Sequence, residues 1–225
     1  MFSPGIASGV FLYPIIDTGA CTARGLDPAA VAAACLAGGA RVLQLRDKSG
    51  SSAAFLALAD QVVHAATGRG ALIVINDRAD VARLSGAGGV HVGQEDLAIA
   101  DVRQVVGSAF VVGISTHDER QIDVALDSDA TYIAVGPIFA TGTKDTGYAA
   151  RGLDLLRYAA GRGKPVVAIG GITLDAVRSV VDAGATGIAV ISDLLAGSDP
   201  EARTREFIHR LARTSQNSAE PRRTQ

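Results

Sequence analysis

Short runs of Val, Ile and Leu recur along this chain and alternate with longer Ala-rich stretches, with Gly, Asp, Ser and Thr at the junctions. Short apolar runs bounded by such breakers read as buried strands, and the stretches between them read as helices. Strands are predicted at 10–16, 40–45, 71–75, 89–92, 110–114, 131–135, 165–169 and 187–191. Helices are predicted near 28–38, 52–67, 77–84, 98–106, 117–127, 151–160, 173–183 and 200–213. Strand followed by helix, eight times over in 225 residues, predicts an α/β fold, a single-domain (β/α)8 TIM barrel over residues 1–213. An open doubly wound sheet is the runner-up. Asp27-Pro28, Ser115-Thr116 and Thr173 read as helix N-caps. The polar, aperiodic stretch 214–225 is expected to be a disordered tail.

Composition narrows the class. A chain 48% hydrophobic and 20% charged has the make-up of a soluble globular protein. No apolar run approaches the length of a membrane span, so no membrane association is expected. No basic segment leads into an apolar stretch at Met1–Gly5, so cytoplasmic residence is expected. A net charge of −2 without long single-sign runs gives nucleic acid little to attract, and any bound anion must be held locally. Cys21 and Cys35 fit no metal or redox spacing and read as reduced thiols. Eighteen Arg accompany only three Lys, at 48, 144 and 164, which makes each Lys a candidate for a specific task. A homo-oligomer is compatible with this composition.

In such a barrel, reactive groups lie at the C-terminal ends of the strands. The second strand ends in Gln44-Leu45-Arg46-Asp47-Lys48, and alternation sends Gln44, Arg46 and Lys48 to one side, where they suit a polyphosphate. A solvated loop with an Arg/Asp pair is the plain alternative. Asp77 after the third strand and Asp96 after the fourth are close enough on neighbouring strand ends to share Mg²⁺, or else they are helix caps. His91 reads as a buried, hydrogen-bonded strand residue, and Ser115 by itself as a cap. The excursion from Gly136 to Gly147 carries Thr141, Gly142, Thr143 and Lys144 and reads as an anion-binding loop able to close over a substrate. Gly170-Gly171 and Ile191-Ser192 end the seventh and eighth strands, where barrels bind phosphate through backbone N–H groups. Two anion sites on opposite sides of one mouth ask for two phosphorylated ligands, or one long ligand with two anionic ends.

These motifs together (Gln44 to Lys48, Asn76-Asp77-Arg78, His91 to Asp96, Gly136 to Phe139 with Thr141 to Lys144, and Ile169 to Ile172) resemble the thiamine phosphate synthase family from about residue 10 to about 195. The resemblance implies a transferase that joins a hydroxymethylpyrimidine diphosphate to a thiazole phosphate and releases diphosphate. It also implies that Gln44, Arg46, Lys48, Asn76, Ser115 and Lys144 contact the pyrimidine diphosphate, with Arg46, Lys48, Ser115 and Lys144 catalytic. Asp77 and Asp96 would hold Mg²⁺, and Thr141, Gly142, Thr143, Gly171, Ile191 and Ser192 would hold the thiazole phosphate. Asp193 departs from the small neutral residue more usual there; it is expected to turn toward the following helix, since facing the phosphate it would repel it. A thiazole tautomerase would need only the thiazole side, and a non-catalytic phosphate sensor would not release diphosphate.

Overall fold

The computed structural model describes residues 9–142 and 147–219. Eight strands follow one another in order around a closed parallel barrel: β1 (Phe11–Asp17), β2 (Val42–Arg46), β3 (Leu72–Asn76), β4 (Gly89–Val92), β5 (Val111–Thr116), β6 (Tyr132–Val135), β7 (Val166–Ala168) and β8 (Gly187–Val190). The β1–β8 pairing of Phe11 with Gly187 and Pro14 with Val190 closes the ring, so the open sheet is not formed.

The helices are α1 (Thr18–Thr22), α2 (Pro28–Ala37), α3 (Ser52–Ala66), α4 (Ala79–Leu84), α5 (Ile99–Val106), α6 (Glu119–Asp127), α7 (Gly152–Ala159), α8 (Val177–Asp182) and α9 (Pro200–Ala219). Two apolar clusters lie between strands and helices, one built around Leu45, Ile75 and Val90 and the other around Ile133, Ile188 and Phe207. A smaller one, with Tyr13, Val42, Val74, Val111, Tyr132, Val167 and Ala189, fills the barrel itself. Strands with helices packed outside and side chains inside are buried on both faces, which is why they read as nearly unbroken hydrophobic runs.

Three local expectations are corrected. Asp27 does cap α2, accepting from Ala29 N and Ala30 N, but Ser115 and Thr116 cap nothing. They remain extended inside β5; Thr116 Oγ1 donates to Ala134 O at 3.0 Å, and Asp118 caps α6 by accepting from Gln121 N at 2.8 Å. Thr173 precedes a short 3-10 turn (Leu174–Ala176) without a side-chain capping bond. The acceptor for Leu174 N is instead Asp193 Oδ2, brought from beyond β8 to 2.9 Å. Helix α9 does not end at 213 but runs to Ala219, with Thr214 buried and its hydroxyl on Arg210 O. One buried residue beyond the expected end is enough to continue the apolar face.

Candidate active site at the C-terminal mouth of the barrel

On the β1–β4 side, charge is concentrated where the apolar runs give out. Arg46 ends β2 and is ion-paired with Asp17, which ends β1 and also caps α1 by accepting from Ala20 N at 2.8 Å. The pairing leaves Arg46 Nε as the one buried side-chain nitrogen or oxygen among the described residues without a hydrogen-bond partner. Asp47, beside it, turns away to accept from Ser49 N, Gly50 N and Thr18 Oγ1, which organises the loop that carries Lys48.

Lys48 is ion-paired with Asp77. Asp77 has φ +63°, the left-handed region that Asp tolerates better than most residues, and its N–H donates to His91 O at 2.7 Å. That turn sets its carboxyl beside Asp96, which accepts from Gly93 N at 2.7 Å. Neither aspartate caps a helix: α4 and α5 begin after Arg78 and Ala98. Burial raises the proton affinity of the Asp77 carboxyl above its ordinary value; Lys48 opposes the rise and Asp96 adds to it. Two neighbouring hard carboxylates, one of them paired with the Lys48 ammonium, fit a divalent cation that takes one or two carboxylates and completes its shell with phosphate oxygens and water.

The β5–β8 side is a cleft with a different lining. Ser115 and His117 come from the end of β5, Gly136, Pro137 and Thr141 from the segment after β6, residues 169–172 from the end of β7, and residues 189–192 from the end of β8. Gly171 has φ +62°, and a Cβ there would lie 2.4 Å from Ala140 O, so glycine lets the β6 and β7 loops touch. Ile138 N and Phe139 N donate to Ile169 O and Gly170 O, stitching the same two loops together. Asp193 is turned away from the cleft. Besides Leu174 N, it accepts Arg203 Nη2 on both carboxylate oxygens, at 2.9 and 3.0 Å.

The structure therefore gathers Thr141, Gly171, Ile191 and Ser192 in one cleft and Arg46, Lys48, Asp77 and Asp96 across the mouth from it. Ser115, expected with the second group, lines the cleft of the first. Gln44 is buried in the middle of β2 and Asn76 at the end of β3. Gly142 is exposed and outside the cleft lining, and Thr143 and Lys144 lie outside the described residues. Sequence reasoning missed Asp17, Gln94 and His117. Asp17 had a signal, a carboxylate closing an apolar strand on its inward parity. Gln94 Nε2 holds Ser115 O at 2.6 Å, and the His117 ring stacks on Tyr148 with its Nδ1 2.5 Å from Gly136 O; neither contact has a local sequence mark.

The sequence profile of the thiamine monophosphate synthase family matches residues 12–194, from the first strand to the turn after the last. The chain is 46% identical over 177 residues to the thiamine-phosphate synthase of Koribacter versatilis, covering 78% of this chain and 82% of that one. It is 39% identical over 203 residues to the enzyme of that name from Roseiflexus sp., covering 90% and 85%. Among solved structures, the thiamine phosphate pyrophosphorylase of Pyrococcus furiosus superposes with a TM-score of 0.82 at 28% identity, covering 91% of this chain and 96% of that one. A closed eight-stranded barrel, a family profile that spans residues 12–194 and relatives matched over 82–85% of their own length leave one conclusion: this chain belongs to the thiamine monophosphate synthase family.

Proposed function

We propose that this protein condenses 4-amino-2-methyl-5-hydroxymethylpyrimidine diphosphate with hydroxyethylthiazole phosphate to give thiamine phosphate and diphosphate. The observation that carries the reading is the division of the mouth, with paired cations and carboxylates at the ends of β2–β4 and a glycine-lined cleft at the ends of β6–β8. Each anionic substrate has its own side. In this reading Arg46, Lys48 and Lys144 bind the diphosphate, with Gln44, Asn76 and Ser115 on the pyrimidine. Thr141, Gly142, Thr143, Gly171, Ile191 and Ser192 hold the thiazole phosphate.

The reaction asks for positioning and charge stabilisation rather than a nucleophilic side chain. The bond between the exocyclic methylene and the diphosphate oxygen breaks, and its electron pair leaves with diphosphate. The electron-rich aminopyrimidine spreads the positive charge left behind, and the thiazole nitrogen lone pair closes the new C–N bond. Arg46, held in place by Asp17, brings its guanidinium charge to this step. Asp77 and Asp96 would hold Mg²⁺, which would supply positive charge beside the departing diphosphate. No helix among the described residues is long and apolar enough to cross a membrane, and an enzyme acting on two small phosphorylated substrates suits the cytoplasm.

The test is diphosphate release from purified protein, followed with thiamine phosphate formation. Product that requires both substrates and Mg²⁺ supports the reading. Isomerisation of the thiazole phosphate without diphosphate release makes the protein a tautomerase; binding without turnover makes it a sensor.

A further inference from the structure

Five buried polar groups stand in one line across the barrel. Gln44 Nε2 donates to the Tyr13 hydroxyl at 3.0 Å, and the Tyr13 and Tyr132 hydroxyls meet at 2.9 Å. The Tyr132 oxygen is 2.9 Å from His91 Nδ1, and His91 Nε2 is 2.9 Å from Ser115 Oγ. All five residues are at most 5% exposed. Burial raises both phenol pKa values far above the ordinary one, so each tyrosine keeps its single hydrogen.

The hydrogens can be placed by starting at the amide. An amide nitrogen only donates, so Tyr13 accepts from Gln44 and has one hydrogen to place. Its other hydrogen-bonding partner is the Tyr132 oxygen, so Tyr13 donates there. Tyr132 passes its own hydrogen to His91 Nδ1, which presents a lone pair. An imidazole with a bare Nδ1 carries its hydrogen on Nε2 and donates it to Ser115 Oγ. The Ser115 hydroxyl hydrogen is then left over, on a side chain that lines the cleft and whose backbone carbonyl is pinned by Gln94.

We propose that Tyr13, Tyr132 and His91 are positioning residues that set Ser115 as a hydrogen-bond donor to the bound substrate, with His91 locked as its Nε2–H tautomer. The proposal rests on Ser115 being a substrate contact, as read above. Turning the Gln44 amide over would reverse every bond in the line. His91 would then be the Nδ1–H tautomer, and Ser115 would spend its hydrogen on the imidazole. The Gln44 nitrogen faces the Tyr13 hydroxyl, which favours the first arrangement, and the His91 tautomer tests it. In this arrangement His91 Nε2 already carries a hydrogen toward Ser115 Oγ, so it does not take the Ser115 proton.

The experiment pairs ¹⁵N NMR of the full chain, labelled on its four histidines and assigned with His91→Gln, with steady-state kinetics of two tyrosine variants. Wild-type His91 should show the Nε2–H tautomer. Tyr132→Phe removes the donor to Nδ1, so the tautomers should mix and kcat should fall roughly tenfold with KM for the pyrimidine diphosphate nearly unchanged. Tyr13→Phe leaves Tyr132 its hydrogen, so the Nε2–H signature should persist and kcat should fall by less than about threefold. A packing role alone would make the two variants alike and leave the tautomer unchanged in both, which overturns the proposal. So does an Nδ1–H tautomer in the wild-type protein, even if Tyr132→Phe does not fold. An Nε2–H tautomer in a protein that releases no diphosphate would count against the function and not against the line.

Discussion

Arg46 and Asp17 form an ion pair across the ends of β2 and β1, and the pair leaves Arg46 Nε buried with no partner. A buried donor left open is unfavourable by about 1–3 kcal/mol unless something arrives to accept from it. Under the proposed function the diphosphate would accept from this guanidinium, and binding would offset that cost. Arg46→Lys keeps the charge and loses the planar fork. It should raise KM for the pyrimidine diphosphate at least roughly tenfold, about 1.4 kcal/mol, with little change in stability. Arg46→Ala also strands the Asp17 carboxylate, which is 9% exposed, and should lower stability by about 1–3 kcal/mol as well. Substrate saturation curves and urea unfolding separate the two; an unaltered KM in Arg46→Lys would remove Arg46 from the diphosphate site.

The metal assignment makes a separate demand. Asp77→Asn and Asp96→Asn should each raise the Mg²⁺ concentration needed for half-maximal rate and lower turnover at least roughly tenfold. Asn also tolerates the left-handed backbone of Asp77, whereas Asp77→Ala should add a stability loss of about 1 kcal/mol from strain at φ +63°. Wild-type Mg²⁺ dependence in both Asn variants would return the two aspartates to a purely structural role. Thermal unfolding of Asp77→Asn beside Asp77→Ala checks the backbone argument independently of activity.

Much of this was legible in the sequence because the barrel strands are apolar on both faces. Where legibility failed, it failed at the mouth. Strands β1, β2, β3 and β5 each run one or two residues beyond their apolar run, into Asp17, Arg46, Asn76 and Ser115-Thr116. A parallel ladder continues regardless of side-chain polarity, and the inward side chain at that level opens into the site rather than the core. Helix α1 went unread because its five residues are too few to show a period. Tyr13 and Tyr132, 119 residues apart, read as two more apolar strand positions. Their hydroxyls meet only because the barrel closes, and no local pattern records that.

Asp193 shows the same limit from the other side. Next to a phosphate site it reads as a repulsive charge, but Arg203 and Leu174 N hold it away from the cleft. Removing its charge should therefore not tighten thiazole phosphate binding. Asp193→Ala should instead lower stability by about 1–3 kcal/mol, because Leu174 N loses its acceptor and Arg203 its partner. Calorimetric titration with thiazole phosphate checks the first expectation and chemical denaturation the second. Tighter binding in Asp193→Asn would show that the carboxylate does reach the phosphate.

Two glycines allow a test of how the halves of the mouth depend on packing beneath them. A Cβ on Gly113 would lie 2.1 Å from Tyr132 Cζ, so the ring that carries the middle hydroxyl of the line occupies the place of a side chain. Gly113→Ala must push Tyr132 aside. It should cost about 1–3 kcal/mol of stability by overpacking and lower kcat with KM for either substrate little changed. Gly171→Ala meets Ala140 O at 2.4 Å and must displace the loop leading to Thr141. Its effect should fall mainly on KM for the thiazole phosphate, because Gly171 and Thr141 line the cleft proposed for that substrate while Arg46, Lys48, Asp77 and Asp96 lie across the mouth. The measurement is a full two-substrate kinetic matrix for both variants. If Gly171→Ala raised KM for the pyrimidine diphosphate and spared the thiazole phosphate, the two sides of the mouth would have been assigned to the wrong substrates.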